Sequence, residues 1–177
     1  MTERQEFKVI RDYDDFELRE YLPCVIAEVR VSAQYSASTS SAFSTLFNYI
    51  SKGNKSSEKI AMTAPVITAQ KVDNSETDEW HVSFVMPSGA TIGHLPDPNN
   101  SQVKLRELGT ETCVAKSFRG RATDDLARKI TLELRASASK ANIALSNETR
   151  ICRFDPPFKP GFLQYNEIVI PILSDAV

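Results

Sequence analysis

The sequence predicts an α+β fold. One curved antiparallel sheet or open barrel carries a helix on each outer flank, built from two strand-strand-helix-strand halves about a pseudo-two-fold axis. Three observations predict it. Leu18-Arg19-Glu20 recurs as Leu105-Arg106-Glu107, an offset of 87 residues (105 − 18). A second strand-like run follows each copy, Cys24 to Val31 and Cys113 to Phe118. Each run then leads through small polar residues into an amphipathic helix. Neither half can bury its apolar face alone, so the two must pack together. The 177 residues then form one domain, with approximate halves at 7–79 and 80–172.

The elements follow in order. Phe16–Tyr21 opens the first half as a strand, within a hairpin-like segment whose Asp12, Asp14, Asp15, Glu17 and Glu20 read as a solvated face. The first helix is expected over Ala37–Lys52, with Phe43, Leu46, Phe47 and Ile50 spaced i, i+3, i+4, i+7. Gly53 is placed to end it as the C′ residue. Ile60–Thr68 is a further strand. Pro65 cannot donate to a ladder, so an edge or bent strand is expected there. Trp80–Met86 alternates and reads as a strand, and the polar stretches 69–79 and 87–102 read as loops. In the second half, Leu126, Ile130 and Leu134 mark a helix over Thr123–Ala141. Asp124 and Asp125, after Thr123, suit its start, where negative charge meets the free N–H groups. Strands at Ile151–Phe154 and Glu167–Ile172 complete the unit, and Pro156 stands 91 residues after Pro65.

Composition narrows the function. The chain is 41% hydrophobic and 25% charged, with a net charge of −2, which gives no broad field for a nucleic-acid backbone. It has no apolar run of about 18 residues and so no membrane-spanning helix. Its polar N-terminus, Met1 to Glu6, lacks the apolar segment of a signal peptide, so a cytoplasmic location is expected. Cys24, Cys113 and Cys152 are widely spaced and odd in number, as expected of reduced, mostly buried thiols. None of the common hydrolase, nucleotide-binding or metalloprotease motifs is present, and His81 and His94 stand apart without a dyad partner. The expectation is a binding protein with no catalytic residue and no metal site, rather than an enzyme.

Five ordered segments carry a resemblance: Phe16-Glu17-Leu18-Arg19-Glu20-Tyr21, Lys59 to Thr68, Val82 to Ser88, Ser117-Phe118-Arg119-Gly120, and Tyr165-Asn166-Glu167-Ile168. Together they resemble the SOUL heme-binding protein family, from about Phe7 to Pro171. The resemblance implies a distorted β-barrel with two helices, and a heme or other tetrapyrrole held in an apolar groove beside the first helix. Phe43 and Phe47 fall at groove positions, Ile50 would extend the wall, and Lys159 matches a basic position near a propionate. Two further basic positions correspond to Ser40 and Asn48, which carry no charge. The place of a histidine ligand in one relative is Glu20, a hard oxygen donor ill-suited to heme iron. The resemblance therefore implies reversible heme binding by apolar contact, without an assigned axial ligand, in a soluble carrier or buffer. The alternative is a non-heme module that binds proteins or another small apolar ligand. The fold also resembles effector-binding domains of some bacterial transcription regulators.

Overall fold

A computed structural model describes residues 2–32, 35–71 and 79–173. The chain runs β1 (Glu3–Arg4), β2 (Phe7–Tyr13), β3 (Phe16–Tyr21), β4 (Cys24–Ser32), α1 (Tyr35–Ile50), β5 (Thr63–Ala64), β6 (Val66–Lys71) and β7 (Glu79–Val85). Then come β8 (Lys104–Leu108), β9 (Glu111–Arg119), α2 (Asp124–Lys140), β10 (Glu148–Arg153), a 3₁₀ turn (Gly161–Leu163) and β11 (Tyr165–Pro171). Nine strands form one curved sheet in the order β2-β3-β9-β11-β10-β6-β7-β4-β8. Every pairing in it is antiparallel. β1 and β5 form a separate parallel pair.

The order reads alike in both directions from the central β6–β10 pair. One way runs β6-β7-β4-β8, the other β10-β11-β9-β3, with β2 added outside. Leu18 on β3 and Leu105 on β8 thus stand at matching places. The halves are interleaved: β3 pairs with β9, and β8 pairs with β4.

Alternation along the strands divides the core into layers. On one face, Leu46, Tyr49 and Ile50 of α1 pack on Ala27, Val29, Val82 and Phe84. On the same face, Ile130 and Leu134 of α2 pack on Val114, Ile168 and Ile170. The alternate residues Tyr21, Ile67, Cys113, Cys152 and Val169 pack on the other face. α2 begins as expected: Thr123 Oγ1 accepts from the Leu126 N–H at 3.3 Å. Tyr49 donates to the Pro96 carbonyl at 2.8 Å, which ties α1 to the loop after β7. Buried Asn54 donates to the Tyr49 and Glu58 carbonyls and accepts from the Glu58 N–H, fixing the exit from α1.

One local expectation is met in the second of its two forms, and another changes. Pro65 lies between β5 and β6, so the run bends there, but β6 is central rather than an edge strand. The proline needs no ladder partner because it sits at the bend. The left-handed residue after α1 is Lys52 (φ 92°), not Gly53. Gly53 is required for another reason. Its N–H donates to the Asn48 carbonyl at 2.8 Å, and a Cβ there would stand 2.6 Å from that same oxygen.

Glu28 on β4 is buried, which raises its pKa, but hydrogen bonds from His81 and Arg106 dominate and hold it at about 2 against an ordinary 4.5. Its folded pKa is depressed, so the unfolded chain binds the proton first. The stabilisation is present above the unfolded value and is lost as pH falls through the folded one. Glu28→Gln should therefore be less stable than the parent by about 1–3 kcal/mol near neutral pH. The gap should close as pH falls from about 4.5 to about 2. Melting curves of both proteins across that range check it; a gap independent of pH would contradict it.

Candidate functional site

Four residues were expected to line the site, and the structure brings two of them together. Phe43 and Phe47 stack one helical turn apart on α1, with ring centroids 6.0 Å apart and planes at 12°. Phe43 is half-buried and meets Phe84 of β7 edge-on at 5.3 Å. Phe47 is 50% exposed. The helix buries Ala42, Leu46, Tyr49 and Ile50 toward the sheet, which leaves Phe47 at the margin of the apolar stripe. A shallow depression there is lined by Phe43, Ser44, Phe47, Asn48 and Ser51, with no charged side chain. Ile50 is 3% exposed and belongs to the core, so any wall it supplies is behind the surface. Lys159 lies in the β10–β11 loop, where its Nζ is 2.8 Å from Asp155 Oδ1. It does not line the α1 depression.

The other candidate ligand atoms are engaged. His81 Nδ1 is 3.2 Å from Glu28 Oε1, and His94 Nδ1 is 2.7 Å from Thr91 Oγ1. Burial raises the pKa of Cys24 and pushes that of Cys113 up to about 12. Burial also raises Cys152. All three thiols are free of disulfides and remain protonated at neutral pH. Among the described residues no group of three or more His, Cys, Asp or Glu could hold a metal ion.

The sheet face away from the helices holds a second site that the sequence reading did not assign. Arg19 on β3 donates through Nη1 to Glu167 Oε2 at 2.9 Å and through Nη2 to Glu167 Oε1 at 3.0 Å. Its Nε–H donates to Glu17 at 2.7 Å, and Nη1 also reaches the Tyr21 hydroxyl at 3.0 Å. The Tyr165 hydroxyl donates to Glu167 Oε1 at 2.8 Å. Burial works against the Arg19 charge, but the bonds to Glu167 and Tyr21 prevail and raise its pKa. Burial raises Tyr21 and Tyr165. On the neighbouring strand, Arg150 donates in a fork to Glu111 at 2.8 and 2.9 Å, and to Glu148. Over this network lies a cleft of about 290 Å³, with Phe7, Tyr21, Phe154 and Tyr165 among its walls. The two terminal motifs, Phe16–Tyr21 and Tyr165–Ile168, supply Glu17, Arg19, Tyr21, Tyr165 and Glu167. The signal in the sequence was Glu167, a lone carboxylate directly before the apolar run Ile168-Val169-Ile170, which must be paired if buried.

Among the described residues no helix is long and apolar enough to cross a membrane. In fold, the chain is similar to the EcmrR C-terminal domain (TM-score 0.69, 15% identity, covering 89% of this chain and 96% of that one). It is also similar to a hydrolase from Listeria innocua (TM-score 0.61, 12% identity, 92% and 94% covered). A third similar structure is SAV2435 bound to tetraphenylphosphonium (TM-score 0.55, 8% identity, 90% and 94% covered). At these identities the likeness extends to the fold alone. No curated protein matches by sequence. The sequence pattern of the SOUL heme-binding protein family matches residues 2–171. With a match over nearly its whole length, the chain belongs to the SOUL heme-binding protein family.

Proposed function

We propose that this protein binds heme or a related tetrapyrrole reversibly on the outer face of α1, and that it carries or buffers the ligand rather than transforming it. The observation that supports this reading is the half-exposed Phe47 stacked on Phe43, in a surface free of charged side chains. A flat apolar ring system laid on that pair is removed from water, at about 25 cal/mol per Å² before ordering costs. The residues fit such a face by contact. They offer no assigned axial ligand, since neither histidine and no cysteine lines the α1 depression. Ser40 and Asn48 supply no cation for the propionates. Lys159 would have to turn from Asp155 to meet one, and such a pair is worth about 0–1 kcal/mol at a partly exposed site. When bound, the heme would supply its own iron chemistry; the chain would position and release it.

The test is a titration with hemin beside iron-free protoporphyrin IX. Saturable binding of both, with affinities within tenfold of each other, is expected of a site that grips the ring and not the iron. No saturable Soret change with either would overturn the reading and favour the non-heme module. His81→Ala and His94→Ala should leave the hemin spectrum and affinity nearly unchanged. A tenfold loss in either variant, about 1.4 kcal/mol, would expose an axial ligand.

A further inference from the structure

The cleft on the far face of the sheet has chemistry of its own, independent of the tetrapyrrole reading. Four rings, Phe7, Tyr21, Phe154 and Tyr165, are among its walls, and the Arg19 guanidinium covers one face of Phe7 at 4.0 Å from its centroid, which leaves the other face and the edge to a guest. Phe154 and Tyr165 meet edge-to-face at 5.3 Å. The two rings pack on each other as one aromatic wall, and a flat aromatic guest can lie against such a wall offset-stacked or edge-to-face. At about 290 Å³ the space lies at the small end of ligand sites, enough for one or two fused rings.

The charges decide what that guest carries. Glu17 and Glu167 both line the cleft, and Arg19 binds both. A cationic guest would have to displace that guanidinium. Arg150 is held by Glu111 and Glu148. Arg4 differs. Its guanidinium lies 4.9 Å from the Phe154 ring centroid and 5.8 Å from that of Tyr165. Among the described residues no carboxylate is within salt-bridge distance of Arg4. The neighbouring Glu3 and Glu6 turn to Ser88 instead, accepting from its N–H and its hydroxyl. A guanidinium stacked on aromatic faces still presents its planar N–H fork at the edge, and that fork matches a carboxylate.

We propose that this cleft binds a small flat aromatic carboxylic acid, its ring between the Phe7, Phe154 and Tyr165 walls and its carboxylate on Arg4. The guest touches β1, β2, β11 and Phe154 just after β10, and leaves α1 free.

Three probes of one shape test it: naphthoate, naphthylmethylammonium and naphthalenemethanol, titrated into the whole protein and followed by amide NMR shifts. Naphthoate should bind at least tenfold more tightly than the other two. Its shifts should centre on Arg4, Arg19 to Tyr21 and Tyr165 to Val169. Arg4→Gln, an exposed change, should keep the melting temperature and bring naphthoate to the affinity of the alcohol. Val9→Trp, at the exposed rim of the cleft, should weaken all three probes. Naphthoate should not displace bound hemin. If hemin fails to bind at all, the cleft reading still stands on the other arms. Tighter binding of the ammonium probe, shifts centred on α1, or an unchanged affinity in Arg4→Gln would each overturn it.

Discussion

Glu167→Ala should lower the melting temperature by roughly 6–20 °C. Glu167 is 4% exposed, and its two oxygens accept three hydrogen bonds, two from Arg19 and one from Tyr165. Deleting the carboxylate leaves Arg19, itself buried, with Glu17 as its one carboxylate, the Tyr21 hydroxyl and the Phe7 ring. It also removes the acceptor of the Tyr165 hydroxyl, which keeps its side-chain hydrogen bond with Ser117. Breaking one side of a buried pair costs about 3–5 kcal/mol, because the surviving charge stays desolvated without compensation. For a chain of this size each kcal/mol moves the midpoint by about 2–4 °C. The comparison that isolates the cause is the double variant Arg19→Met/Glu167→Leu. It removes both charges and leaves neither uncompensated, so it should melt above either single variant. Thermal melting of all three proteins decides. A double variant as unstable as the sum of its parts would mean that shape, not charge pairing, holds this region.

Phe47→Asp should weaken hemin binding by at least tenfold, about 1.4 kcal/mol, and by more than Lys159→Ala does. A carboxylate set against a porphyrin face must be desolvated or must push the ligand away, which costs several kcal/mol where burial is complete. Phe47 is 50% exposed, so the variant should remain folded, at a cost of about 0.3–1 kcal/mol for a carboxylate in the last turn of α1, where the helix dipole opposes it. Lys159 offers a single cation already shared with Asp155, worth about 1 kcal/mol or less. Soret titration gives the affinities, and melting gives the fold. A folded Phe47→Asp protein that binds hemin as tightly as the parent would remove the helix surface from consideration. A site on the sheet cleft or a non-heme role would then be the better reading.

The architecture was legible because it is written in periodicity. The Leu18 and Leu105 repeats fall on β3 and β8, at matching places in the strand order. The stripe from Leu126 to Leu134 faces the sheet as its spacing requires. Thr123 caps its helix because a hydroxyl there satisfies a free N–H. Phe43 and Phe47 were visible as a stripe, but their exposure was not. Ala42 and Tyr49 share the burden of packing, and that rotates Phe47 outward. The sheet cleft was hidden for a different reason. Arg19 and Glu167 are 148 positions apart, and no local pattern reports a pairing at that range. Arg4 and Phe154 are likewise joined only by the fold.

The interleaving of the halves bears on the order in which this protein can be made. β11 lies between β9 and β10, and it is the last strand of the sheet in the chain. Until it arrives, the ribbon β2-β3-β9 and the ribbon β10-β6-β7-β4-β8 have no shared ladder. A nascent chain emerging from the ribosome through β7 therefore displays open edges on β4 and β6, and on the β2–β3 hairpin. Each waits for a strand still to be synthesised. Open edges of this kind template pairing with other chains. Closing them requires contacts between distant parts of the chain, which makes folding slow. Completion is thus set by translation through Pro171, and the same strand that joins the two ribbons delivers Glu167 to Arg19.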